Sequence, residues 1–141
     1  MVPFIFVLIG IGISFSAILI LLKAKRTLHW SSTTGFVKSS EVTISQNSKG
    51  ASRYRPEICY SYTVHGNEYV SNRIESMDGF LSSVKAYKKT SQYPKGSQIL
   101  IFYNPDKPAD SVIEPGVKPD YYYFLAFGII WLSISVIILA S

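Results

Sequence analysis

Tyr60, Tyr62 and Tyr69, with Arg73 close behind them, come nearest to a chemical constellation in this 141-residue chain. Alternate tyrosines on a strand share one face. A guanidinium beside their rings makes an aromatic-cationic wall, able to bind a lipid or a small ligand through cation–π contact and hydrogen bonds. The same alternation is also what a strand needs to fill a core, and that role is the expected one. The other reactive types are dispersed. His29 and His65 are 36 positions apart, and no Cys, His or carboxylate group has metal-ligand spacing. Cys59 is the sole cysteine, so no internal disulfide forms, and it alternates onto the face opposite the tyrosines. Asp106 and Asp110 flank Lys107 in what reads as a solvated turn. No nucleophile elbow, phosphate loop or zinc-protease motif occurs. The expectation is a protein without catalytic residues, metal or cofactor.

The elements that position the tyrosines begin with a hairpin from Pro56 to Ile74. Ile58, Tyr60, Tyr62 and Val64 alternate with Glu57, Cys59, Ser61 and Thr63, the period of a strand with one buried face. Gly66 and Asn67 tolerate positive φ and read as a two-residue turn. That turn sets Val64 opposite Tyr69, Tyr62 opposite Ser71 and Tyr60 opposite Arg73. Upstream, Ser31 to Gly35 reads as a polar breaker, Phe36 to Ile44 as a strand and Gln46 to Ser52 as a flexible connection. Downstream, Asp78 is the expected cap of a short helix, with Phe80, Leu81, Val84 and Tyr87 on its apolar side and Lys85, Lys88 and Lys89 on its wet side. Ile99 to Tyr103 reads as a strand buried on both faces. Asn104 to Pro108 reads as a stiff turn, and Ser111 to Glu114 as a last strand.

Both ends of the chain are uncharged and apolar. Val2 to Leu22 is about 21 residues, roughly 31 Å as a helix, matching a bilayer's hydrocarbon core. No cation precedes it and no small-residue cleavage site follows, so a transmembrane helix is expected rather than a cleaved signal. Gly10 with Ser14, and Gly12 with Ser16, form small-residue stripes where another helix can approach. Tyr121 to Ala140 reads as a second span with Tyr121, Tyr122 and Tyr123 as an aromatic collar. Every Lys, Arg, Asp and Glu lies between Lys23 and Asp120, and the net charge is +5. The one tight basic group, Lys23, Lys25 and Arg26, follows the first span, and Trp30 reads as an interface anchor at its exit. Membrane lipids are therefore the expected partners, and nucleic acid is not. By the positive-inside rule the middle of the chain belongs in the cytoplasm and both ends outside.

The fold class expected is an α+β membrane protein, with transmembrane helices at 2–22 and 121–140 flanking an antiparallel β-rich domain at 30–116. About five strands and one short helix make up that domain. Several spaced residues together resemble the DUF3592 family. They are Trp30 with Gly35, Pro56 with Tyr60-x-Tyr62-x-Val64-x-Gly66-x-x-Tyr69, Tyr93-Pro94-x-Gly96, and Tyr103-Asn104-Pro105-x-x-Pro108-x-x-Ser111-x-x-Glu114-Pro115. That resemblance implies a small membrane protein, mostly found in bacteria, with a β-rich domain beside transmembrane helices, hence the bacterial inner membrane. It implies no catalytic residue. The leading expectation for function is a non-catalytic membrane subunit that presents its β-domain to another membrane protein or to further copies of itself. The alternatives are an immunity protein that blocks a membrane-acting toxin, and a lipid or small-ligand binding module built on the tyrosine wall.

Overall fold

The computed structural model describes residues 2–76 and 78–140. The elements run α1 (Val2–Arg26), one 3-10 turn (Thr27–His29), β1 (Ser31–Gln46), β2 (Ser52–Val64), β3 (Asn67–Ser71), α2 (Ser83–Gln92), β4 (Gln98–Asn104), β5 (Lys107–Val112) and α3 (Pro119–Ala140). The chain divides into two compact units, residues 1–26 with 116–141 and residues 27–115.

In the helical unit, two helices are long and apolar enough to cross a membrane, Phe4–His29 and Pro119–Ala140. Helix α1 runs one turn beyond Leu22, so Lys23, Lys25 and Arg26 occupy its last turn, where cations complement the exposed carbonyls. Pro119 opens α3, a position where its missing N–H costs nothing. Small residues set the contact between the helices. A side chain at Gly10 would run into Leu132 and Trp131, and one at Gly128 into Ser14 and Ile13. Trp131 donates its indole N–H to the Phe6 carbonyl at 3.3 Å, which satisfies the ring's polar edge in an apolar setting.

The other unit is a five-stranded antiparallel sheet in the order β3-β2-β1-β4-β5 with α2 beside it. Its core gathers Val37, Ile58, Tyr60, Tyr62, Val64, Ile74, Ile101 and Ile113. The hairpin is present, but its turn lies one residue earlier than the sequence suggests. His65 (φ 50°) and Gly66 (φ 81°) take the positive-φ positions, and Tyr62 pairs with Tyr69 and Tyr60 with Ser71. Moving a two-residue turn by one position shifts the pairing by two, so the tyrosines keep their face.

Strand β1 is longer than expected at both ends. Ser31 to Gly35 is no breaker. It pairs with β4 from Ser31 to Phe36, because Thr33 and Thr34 suit a pleated surface once strands flank both sides. At the far end the flexible connection is a tight turn. The Asn47 side-chain oxygen accepts from the N–H groups of Lys49 (3.0 Å) and Ala51 (2.9 Å), leaving β2 to start at Ser52. Pro56 is accommodated within β2 because β3 pairs only from Tyr60 onward, so its missing N–H deprives no strand. A bulge at Lys38, between Val37 and Ser39, changes which β1 residues face inward.

Three further expectations are corrected. Ser82, not Asp78, caps α2, accepting from the Lys85 N–H, while Asp78 binds the N–H groups of Ile74 (3.1 Å) and Glu75 (3.0 Å). Strand β4 is buried on one face only: Ile101 is fully enclosed and Leu100 is 53% exposed. The last strand is β5 at Lys107–Val112, paired with β4 across a turn at Pro105 and Asp106.

Gly35 is where the sheet comes closest to itself. A Cβ there would collide with the Ser61 carbonyl and the Ile101 side chain. Backbone cannot yield as a flexible side chain does, so Gly35→Ala is expected to destabilise the chain by about 1–3 kcal/mol. Gly12→Ala, which meets nothing within 4 Å, serves as the neutral control. Thermal melts of the two variants in the same detergent check this.

Candidate functional site

The tyrosine wall proves to be an interior surface. Tyr60 and Tyr62 are 0% and 2% exposed, and only Tyr69 is half-buried. Tyr62 lies between the other two rings, 6.0 Å from Tyr60 and stacked at 5.7 Å on Tyr69. The Tyr60 and Tyr62 hydroxyls are both engaged. Tyr60 donates to the Arg73 carbonyl (2.8 Å) and lies 3.0 Å from the Ser111 hydroxyl, and Tyr62 donates to the Pro108 carbonyl (2.6 Å). Arg73 turns its guanidinium to Asp110 in a half-buried ion pair, so Asp110 is not the solvated corner expected. Burial opposes ionisation of the Tyr60 phenol and pushes its pKa from 10.0 up to about 12 despite the hydrogen bond from Ser111.

A second convergence was not legible in the sequence. Lys89, expected on the wet side of α2, turns inward and reaches the Glu114 carboxylate at 2.8 and 2.9 Å and Glu75 at 3.3 Å. Tyr93 donates its hydroxyl to the same Glu114 at 2.9 Å. These groups are largely covered, with Lys89, Glu75 and Glu114 side chains 16–20% exposed. Burial pulls the Lys89 pKa down, but the hydrogen bond and charge of Glu114, with Glu75, outweigh it and hold the ammonium above the ordinary lysine value. Tyr93 and Glu114 both stand in the spaced pattern that resembles the family, which is the one sequence signal for this cluster. No periodicity links residues 21 and 25 positions apart.

Space for a ligand beside these groups is small. A recess of about 40 Å³ lined by Pro56, Ile74, Asp78, Leu81 and Lys89 holds roughly one water. On the other sheet face an open depression of about 260 Å³ runs past Ser39, Cys59 and Asn72, with Cys59 half-buried. Among the described residues no three His, Cys, Asp or Glu side chains group to hold a metal ion.

The remaining predicted positions divide. Lys23, Lys25 and Arg26 are exposed, Trp30 is half-buried, Tyr122 and Tyr123 are exposed, and Tyr121 is buried. Of the two small-residue stripes, Gly10 and Ser14 meet α3, whereas Gly12 has open space around it and Ser16 folds its hydroxyl back to the Gly12 carbonyl at 2.8 Å.

The Tyr60 hydroxyl gives a pH test. Its folded pKa lies above the unfolded value, so its contribution is complete below pH 10 and is lost as pH rises toward 12. A shift of that size corresponds to roughly 3 kcal/mol. Tyr60→Phe is expected to cost about 1–2 kcal/mol at pH 8, where it strands the Ser111 hydroxyl and the Arg73 carbonyl. The gap to wild type should close between pH 10 and 12, as read from melting temperatures.

Comparison with curated proteins gives no match. The family model described as "Domain of unknown function (DUF3592)" matches residues 33–118, which takes in every strand, α2 and the Lys89–Glu114–Tyr93 cluster. On that match over more than half its length, and on the fold just described, the chain belongs to the DUF3592 family.

Proposed function

We propose that this chain is a non-catalytic integral membrane subunit whose β-domain serves protein–protein contact within a membrane complex. The observation that carries the reading is the closed interior of the domain. The polar side chains of the interior bind each other: Tyr60 to Ser111, Arg73 to Asp110, and Lys89 and Tyr93 to Glu114. The outer surfaces remain for partners. Helix α1 adds a second contact region, because Gly12 and Ser16 lie apart from the residues that pack on α3. A close helix–helix approach in a bilayer uses small residues in this way. The three cations ending α1 support a β-domain in the cytoplasm, and the bacterial inner membrane is the location that the family resemblance implies.

Purification of the full chain in mild detergent tests the reading. It should elute above monomer mass, with a membrane protein or further copies of itself, and Gly12→Ile should weaken that association without lowering the melting temperature. A monomeric chain carrying nothing contradicts the proposal. In the same cells, a Ser48→Cys variant on a Cys59→Ser background should resist an impermeant thiol reagent until the membrane is opened. Labelling of intact cells would reverse the orientation.

A further inference from the structure

We infer that the outer end of the β1–β2 ribbon, together with α2, is a docking surface for an acidic protein segment that carries apolar side chains. The inference rests on the subunit reading above and names the surface and partner chemistry that reading leaves open.

Beyond Glu41 and Glu57, no third strand joins β1 and β2, since β4 reaches only Phe36 on one side and β3 only Tyr60 on the other. A lone two-stranded ribbon is marginal in water. Here α2 braces it. The Leu81 N–H donates to the Tyr54 carbonyl at 2.8 Å, the Ser40 hydroxyl to the Thr90 carbonyl at 3.0 Å, and Ala86 is fully buried in the contact. Of the side chains expected to pack inward, Leu81 is half-buried and the other three are exposed. Phe80 and Tyr87 are each 53% exposed and Val84 76%, and Ile44 on the ribbon is 53% exposed. Tyr54 lies opposite Ile44 with its ring 6.4 Å from Tyr87, which joins the ribbon to α2 on one face, and from the other face of β2 the Arg53 guanidinium lies 5.4 Å above Phe80.

Charge identifies the occupant. From Val42 to Pro56 and from Gly79 to Lys95 the sequence holds seven cations and no Asp or Glu. Only Lys89 among them turns inward to carboxylates, while Arg53, Arg55, Lys85 and Lys88 are exposed. Glu75 and Glu114 are held by Lys89 and Asp78 binds backbone N–H groups, while Glu41 and Glu57 lie at the ribbon's root. An apolar centre with a basic rim fits a segment of opposite rim charge. Ile44 stands thirteen residues beyond Ser31 on β1, roughly 43 Å along the extended strand. The proposed occupant is a protein segment, its acids facing the basic rim and its apolar side chains the exposed Ile44, Val84 and Tyr87.

The test uses the full chain, purified with its partner, carrying Val84→benzoylphenylalanine for photocrosslinking. The crosslink should fall on a partner peptide in which Asp or Glu flanks apolar residues. Its yield should drop about tenfold with Lys85→Glu and Lys88→Glu together, at unchanged melting temperature. A crosslink to lipid, one on a peptide without acids, or a yield indifferent to the charge reversal overturns the assignment. So does a silent Val84 in a preparation where the partner is present, and that result leaves the subunit reading standing. Absence of any partner overturns both.

Discussion

The sheet holds its form because β2 and β5, which are not neighbours in it, are tied across its concave face. Tyr60 and Tyr62 rise from β2, cross the interior and bond to Ser111 and Pro108 of β5. A flat sheet would keep those strands three places apart, with β1 and β4 between them. The sheet curls instead, and the segments leaving its two edge strands meet where the N–H groups of Ile113 (3.1 Å) and Glu114 (2.7 Å) both reach the Ile74 carbonyl. Closing a sheet on itself leaves fewer unpaired strand edges, and it encloses the aromatic face that would otherwise be a binding surface.

Much follows from that closure. Once the tyrosine face is interior, its hydroxyls must find partners within the protein, since a buried phenol without one costs about 1–3 kcal/mol. Arg73, carried inward by the same strand exit, must find a carboxylate, and Asp110 supplies it. The segment after β3 is drawn toward Glu114, and α2 lays Lys89 between Glu75 and Glu114. A cation at that depth is tolerable only with both charge and hydrogen bonds returned to it. The part of the sheet that does not close, the ribbon beyond Glu41, is the part that needs α2 as a brace.

The two apolar ends, the strand count, the central hairpin and the family likeness were legible in the sequence, because each rests on local pattern. The tyrosine alternation survives even an error in the turn, since a pairing shift of two leaves faces unchanged. Ser31 to Gly35 was not legible: serines and threonines read as loop until two neighbouring strands are supplied. Gly35 sits there for the closeness of Ser61 and Ile101, a fact of tertiary packing. The inward turn of Lys89 was hidden for the same reason, as its carboxylates lie 14 and 25 residues away. Phe80, Val84 and Tyr87 misled in the opposite sense. Their spacing is that of a buried helix face, yet the residue that α2 buries is Ala86.

Whether the tyrosine face is truly interior can be read by nitration of the native chain in detergent, with each tyrosine followed by mass spectrometry. Tyr87, more than half exposed, should be modified quickly, while Tyr60 stays unmodified until the protein is unfolded. Modification of Tyr60 in the native state at a rate near that of Tyr87 would contradict the closed sheet, and the reading of the domain as a surface for partners rather than a container for a ligand would fall with it.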